Sequence, residues 1–99
     1  MSFVSTQPEE LTTAATNLQD IGSAMAAQSV AAAAPTTGVV PAAADAVSEL
    51  TASQFAVQGK LYQTVSAQAA AIHEMVVSTL AGSAGSYAAT EAANAVATG

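Results

Sequence analysis

The sequence predicts an all-α protein, an antiparallel hairpin of two long helices. Alanine, the strongest helix former, supplies 27 of the 99 residues. From Val47 to Leu80, apolar residues recur every three or four positions, as on one face of a helix. The one strong break, residues 34–41, contains Pro35, Gly38 and Pro41. Because this connection is short, the two helices are expected to run antiparallel.

The first helix is predicted at about residues 8–33, after a lead, Met1 to Ser5, that is extended or disordered. We expect the Thr6 hydroxyl to cap the helix and Glu9 to complete a capping box, while Pro8 is tolerated in the first turn. The positions that follow keep a seven-residue, mainly apolar pattern: Leu11, Ala14, Leu18, Ile21, Met25, Gln28 and Ala32.

The second helix is predicted at about residues 42–80, beginning near Pro41 or Ala46, and it carries two neighbouring apolar lines. We expect the first line to pack on the first helix and the second to meet another protein, although periodicity alone does not assign the two faces. Residues 81–86 should end or fray this helix, and residues 87–99 should form a loose or partly helical tail. The first line is Val47, Leu50, Gln54, Val57, Leu61, Thr64, Val65, Gln68, Ile72, Met75 and Thr79; the second is Phe55, Gly59, Tyr62, Ala69, Val76 and Leu80.

The composition specifies helices well and a self-sufficient core poorly. Leucine, isoleucine, valine and phenylalanine together number only 19, and alanine buries little area. With one lysine, no arginine and a net charge of −6, the chain has no basic patch for nucleic acid or anionic membranes. The uncharged run from Ile21 to Ala44 is rejected as a transmembrane helix because Pro35, Gly38 and Pro41 interrupt it. A Sec signal peptide is not expected either, because no basic residue precedes Lys60.

Catalysis, metal binding and cofactor binding are not expected. His73 and Glu74 are the only pair that suggests acid–base chemistry, and neighbours on a helix point about 100° apart. No serine, cysteine or second histidine completes a site at helical spacing. His73 is therefore interpreted as an interface or surface residue of a protein that is not an enzyme.

Tyr87 and Glu91 lie four residues apart, so they share a face if the tail is helical. The spacing alone has no meaning, since such pairs are common by chance. Their position just beyond a helical hairpin, beside a Gly/Ser break, is suited to an exposed recognition signal.

Together these segments resemble the PE family of mycobacteria, which is named for a Pro-Glu pair near the N-terminus. Pro8-Glu9 stands at the expected place, and the likeness covers essentially the whole chain. It implies a PE domain over residues 1–86, a C-terminal tail over 87–99, and a domain-only member without a Gly-rich extension. The segments that carry the likeness are MSFVSTQPEEL, APTTGVVPAAADAVSEL, AAAIHEM and AGSYAATEAANA.

The resemblance implies that the hairpin completes a four-helix bundle with a PPE-family protein. The heterodimer would be exported folded by a type VII (ESX) secretion system to the cell surface, the cell envelope or the medium. Tyr87 and Glu91 match the family's export signal, and the WxG turn, absent here, would come from the PPE chain. We expect these residues to form the partner interface: Leu18, Ile21, Met25, Phe55, Leu61, Tyr62, Val65, Ile72, Val76 and Leu80.

Two alternatives remain at this stage. The hairpins could associate with one another as a homodimeric four-helix bundle of structural function. A surface-active or ice-binding helix would need threonines at a fixed repeat on one flat face, and the threonines here cluster early and then scatter. The sequence leaves open the identity of the PPE partner, the ESX system and the role after export.

Overall fold

A computed structural model describes residues 5–99 and confirms the all-α prediction. The chain forms two helices, α1 at Pro8–Thr37 and α2 at Ala46–Thr98, and no strand occurs in residues 5–99. The helices pack against each other as a hairpin. The predicted lead, Met1 to Ser5, lies outside the described residues except for Ser5.

The chain divides into two compact units, each containing one stretch of either helix. The terminal unit comprises the residues up to Ile21 together with His73–Gly99. The turn unit comprises Gly22–Ile72 and contains the connection between the helices. Each unit thus has its own set of contacts between α1 and α2.

As predicted, α1 begins at Pro8, but the prediction of a capping box between Thr6 and Glu9 was wrong. The Gln7 carbonyl oxygen accepts the first backbone hydrogen bonds, from the amides of Glu10 (3.0 Å) and Leu11 (3.3 Å), so Gln7 is the N-cap. The Thr6 hydroxyl instead donates to the Glu91 carboxylate. Glu9 lies in the first turn, where the helix dipole favours a negative charge.

The connection lies later in the chain than predicted, because α1 continues through Pro35 to Thr37. Proline removes only one backbone donor so near a helix end, and threonine hydroxyls satisfy nearby carbonyls. Thr36 donates to the Ala32 carbonyl oxygen at 2.6 Å, and Thr37 donates to that of Ala33 at 2.7 Å. These bonds go to the carbonyls of Ala32 and Ala33, whereas the carbonyl of Ala31, four residues before Pro35, loses its helical donor to the proline.

The helix α2 begins at Ala46 because Asp45 caps it. The Ser48 amide donates to Asp45 Oδ1 at 2.8 Å, and the Ser48 hydroxyl donates to Oδ2 at 3.0 Å. These bonds to Ser48 favour the charged carboxylate and lower the pKa of Asp45 below its usual 3.8.

The predicted end of α2 near Leu80 was wrong, since the helix continues without interruption to Thr98. Each of Gly82 and Gly85 costs about 1 kcal/mol of helix propensity relative to alanine. Between them Ala84 is only 3% exposed, so packing in the terminal unit offsets that cost. The tail, which was expected to be loose or partly helical, is the last part of one long helix.

Small and polar residues make the contacts of the turn unit. Ser29 Oγ and Ser66 Oγ lie 2.9 Å apart, and Gln63 Nε2 donates to the Ser29 carbonyl oxygen at 3.0 Å. Gly59 is buried against the last turn of α1, where a Cβ atom would overlap the Thr36 carbonyl oxygen and lie 2.7 Å from its carbon. Only glycine permits this close approach of the two backbones.

In the terminal unit, the most buried side chains are Ala15 of α1 and Val77 and Ala84 of α2. His73 Nε2 donates to the Leu18 carbonyl oxygen. Because a carbonyl can only accept, this ring nitrogen carries the proton. His73 is thus a contact between the two helices of the hairpin.

The face of α2 expected to pack on α1 was assigned wrongly. Every member of the predicted first line, from Val47 to Thr79, is exposed. The residues of α2 that are not exposed are mostly small, and at Gly59 the two backbones are too close for any Cβ atom. The buried or half-buried residues of α2 are Ser48, Ala52, Ala56, Gly59, Gln63 and Ser66 in the turn unit, and His73, Val77, Leu80, Ser83, Ala84 and Glu91 in the terminal unit.

We predict that Gly59→Ala destabilises the hairpin, although alanine is the better helix former. The overlap with Thr36 forces the helices apart, at a cost of roughly 1–3 kcal/mol, so the melting temperature should fall. Gly82→Ala is the matched control, because its added Cβ would meet nothing within 4 Å. Circular dichroism melts, with the chain in the assembly in which it purifies, should show no loss for Gly82→Ala. An unchanged or higher melting temperature for Gly59→Ala would contradict the close packing.

Candidate partner-binding surface and signal residues

Six of the residues predicted to meet a partner are exposed on the turn unit. The exposed fractions of Leu61 (53%) and Phe55 (63%) mark the two ends of the range. Soluble monomers seldom expose so many large apolar side chains on so small a surface. The six, termed the outer apolar group, are Met25, Phe55, Leu61, Tyr62, Val65 and Ile72.

The terminal unit adds fewer such side chains. Ile21 is 52% exposed and Val76 is 50% exposed. Leu18 and Leu80 are half-buried. These two side chains contribute to the hairpin and offer less surface to a partner than was expected.

A shallow apolar hollow of about 250 Å³ lies beside the connection in the turn unit. Val39 and Val40 of the connection line it together with Val47 and Phe55 of α2. In the sequence these two valines stand within the break between the helices and were not predicted to line a surface. Their pairing in Val39-Val40, between two prolines, was the signal available in the sequence.

Charge is sparse along the part of α2 that carries the outer apolar group. Between Glu49 and Glu74 the only charged residue is Lys60. Lys60 is exposed, as are both flanking acids. A partner would therefore meet an apolar and largely uncharged surface, which suits the burial of a second helical chain.

Tyr87 and Glu91 lie one turn apart on α2 and share a face. Tyr87 is 47% exposed, whereas Glu91 is half-buried and contacts the segment before α1. Glu91 Oε1 accepts two hydrogen bonds, each 3.0 Å long, from the Thr6 amide and the Thr6 hydroxyl. Thr6, near the N-terminus, and Glu91, near the C-terminus, are thus in direct contact.

The described residues offer little for catalysis or metal binding. His73 donates to a backbone carbonyl, while its neighbour Glu74 is exposed. No group of three or more histidines and carboxylates in residues 5–99 is arranged to hold a metal ion. Within the same residues, neither helix is long and apolar enough to span a bilayer.

Comparison with known proteins places this hairpin among mycobacterial sequences. The model of the PE family matches residues 4–94. The PE family protein PE13 of Mycobacterium tuberculosis is 63% identical over 97 residues, which are 98% of either chain. PE8 and PE_PGRS33 of the same species are 58% and 53% identical, and the chain spans only 34% and 20% of their lengths. A match of this extent shows that the chain belongs to the PE family.

Proposed function

We propose that this chain is a non-enzymatic interaction protein that forms a heterodimer with a PPE-family protein. The two chains would build a four-helix bundle that a type VII secretion system exports to the cell surface or beyond. Membership of the PE family supports this proposal. The partner and the export route come from the family resemblance, together with the physical features described below.

The observation that carries the proposal is the exposure of the large apolar side chains. The buried side chains in residues 5–99 are three alanines and Val77. Full burial of a leucine, phenylalanine or methionine side chain is worth about 1.5–3 kcal/mol relative to exposure. A hairpin that leaves Phe55, Leu61 and Ile72 more than half exposed forgoes much of that stabilisation, and a second chain over them would restore it.

The competing candidate is a homodimer of two such hairpins. Its two chains would together carry a net charge of −12, with only two lysines to oppose fourteen acidic residues. Like charges disfavour self-association at low ionic strength. A partner of different sequence can cover the outer apolar group without this repulsion, so we favour the heterodimer.

Co-purification tests the partnership directly. A tagged chain expressed in a mycobacterium should retain one PPE-family protein at equal stoichiometry, identified by mass spectrometry. Recovery of a homodimer alone, established by sedimentation, would support the structural alternative and contradict the proposed heterodimer.

Truncation of the outer apolar group should weaken the complex. We predict that Phe55→Ala and Tyr62→Ala each reduce affinity for the co-purified partner about tenfold or more, since buried aromatic anchors at interfaces cost about 2 kcal/mol or more when truncated. Competition binding against the wild-type chain measures this loss. Asn17→Ala, an exposed polar position on α1, is the control and should bind normally. Wild-type affinity in both aromatic variants would place the partner elsewhere.

Export should depend on Tyr87. We predict that Tyr87→Ala abolishes secretion and leaves the complex intact, because the side chain is 47% exposed and its loss removes little packing. Immunoblots of culture filtrate and cell lysate measure secretion, and co-purification from the lysate measures the complex. Unchanged secretion would refute the assignment of Tyr87 to an export signal.

A further inference from the structure

We infer that Glu91 is a positioning residue that fastens the N-terminal segment beside Tyr87, and that Thr6 is therefore part of the same signal. This inference rests on the proposed function of Tyr87 and Glu91 in export. It adds a residue to the proposed signal and assigns different tasks to its two proposed members. Tyr87 is the group presented for recognition, and Glu91 acts through Thr6.

The geometry is specific to one oxygen of the carboxylate. Glu91 Oε1 accepts from both Thr6 donors, the backbone amide and the side-chain hydroxyl, each at 3.0 Å. Hydrogen bonds to an ionised acceptor are about twice as strong as bonds between neutral groups. Two of them from one residue fix both the backbone and the side chain of Thr6 against α2.

This contact joins the segment before α1 to the C-terminal part of α2. Thr6 lies two residues before the start of α1 and 85 residues before Glu91 in sequence. Glu91 also lies next to the N-terminus of α1, where the helix dipole favours a negative charge. Its carboxylate is therefore engaged within the chain, while Tyr87, one turn earlier on the same face, retains 47% exposure.

The two possible roles of Glu91, direct recognition by the machinery and positioning of Thr6, lead to different predictions. If export machinery bound the Glu91 carboxylate directly, for example through a basic side chain, the negative charge at residue 91 would be indispensable and Thr6 would be irrelevant. If Glu91 holds Thr6, any side chain at 91 that keeps an oxygen acceptor retains function, and loss of the Thr6 donors reproduces loss of Glu91.

Thr6 variants in the full chain, co-expressed with its partner, test the inference. Thr6→Val removes the hydroxyl alone, and Thr6→Pro removes the amide donor as well. We expect secretion to fall in steps, by severalfold and then roughly tenfold, as charge-assisted hydrogen bonds are lost. Thr6→Ser keeps both donors and should be secreted normally. Thr12→Val is the matched control, because that hydroxyl donates only to the Pro8 carbonyl oxygen of its own helix.

Variants of Glu91 complete the test. Glu91→Gln should retain more secretion than Glu91→Ala, and Thr6→Pro combined with Glu91→Ala should be no worse than either single variant, because both remove the same contact. Hydrogen exchange of the Thr6 amide in the purified complex should quicken in Glu91→Ala and not in Tyr87→Ala.

Two results overturn the inference, and they are distinguishable. Normal secretion of Thr6→Val and Thr6→Pro, with loss in Glu91→Ala and Glu91→Gln, would show that the machinery reads the Glu91 charge directly while the export signal itself stands. Normal secretion of Tyr87→Ala in the same experiment would refute the proposed signal, and the inference with it.

Discussion

Close approach of the two helices is the constraint on which the rest of the structure depends. At Gly59 the backbone of α2 lies so near Thr36 of α1 that no Cβ atom fits between them. Elsewhere in the turn unit the helices meet through short polar contacts, such as Ser29 with Ser66. The hairpin is therefore held by backbone proximity and by small residues such as Ala15 and Ala84, with little large apolar surface buried.

The large side chains of the turn unit lie mainly outside the hairpin. Phe55, Leu61 and Ile72 are each more than half exposed. The proposed partner chain would cover this apolar surface. Mostly small residues thus make the contacts within the hairpin, while many large apolar residues lie exposed outside it.

Much of this architecture could be predicted from the sequence, because its causes are local. The all-α class follows from alanine content and helical periodicity, and the start of α1 follows from Pro8 in front of two acids. The end of α2 was misplaced because Gly82 and Gly85 oppose a helix locally, whereas the packing of Ala84 favours it. Local helix propensity does not include the packing of Ala84.

The face of α2 that packs on α1 was misassigned for a related reason. Periodicity read from large apolar residues finds the most hydrophobic face, and here that face is the exposed one, as Leu50 at 63% exposure illustrates. The spacing of Ala52, Ala56 and Gly59 was the signal for the hairpin-facing side. The contact of Thr6 with Glu91 had no local signal, since 85 residues separate the two.

The central claim is that the large apolar side chains serve a second chain and do not stabilise the hairpin alone. Thermal unfolding of the isolated chain tests this claim most directly. Melts should be followed by circular dichroism, with the oligomeric state fixed by sedimentation. We expect no cooperative unfolding transition for the monomer and a sharp unfolding transition after the partner is added. A monomer that melts cooperatively without any partner would contradict this claim.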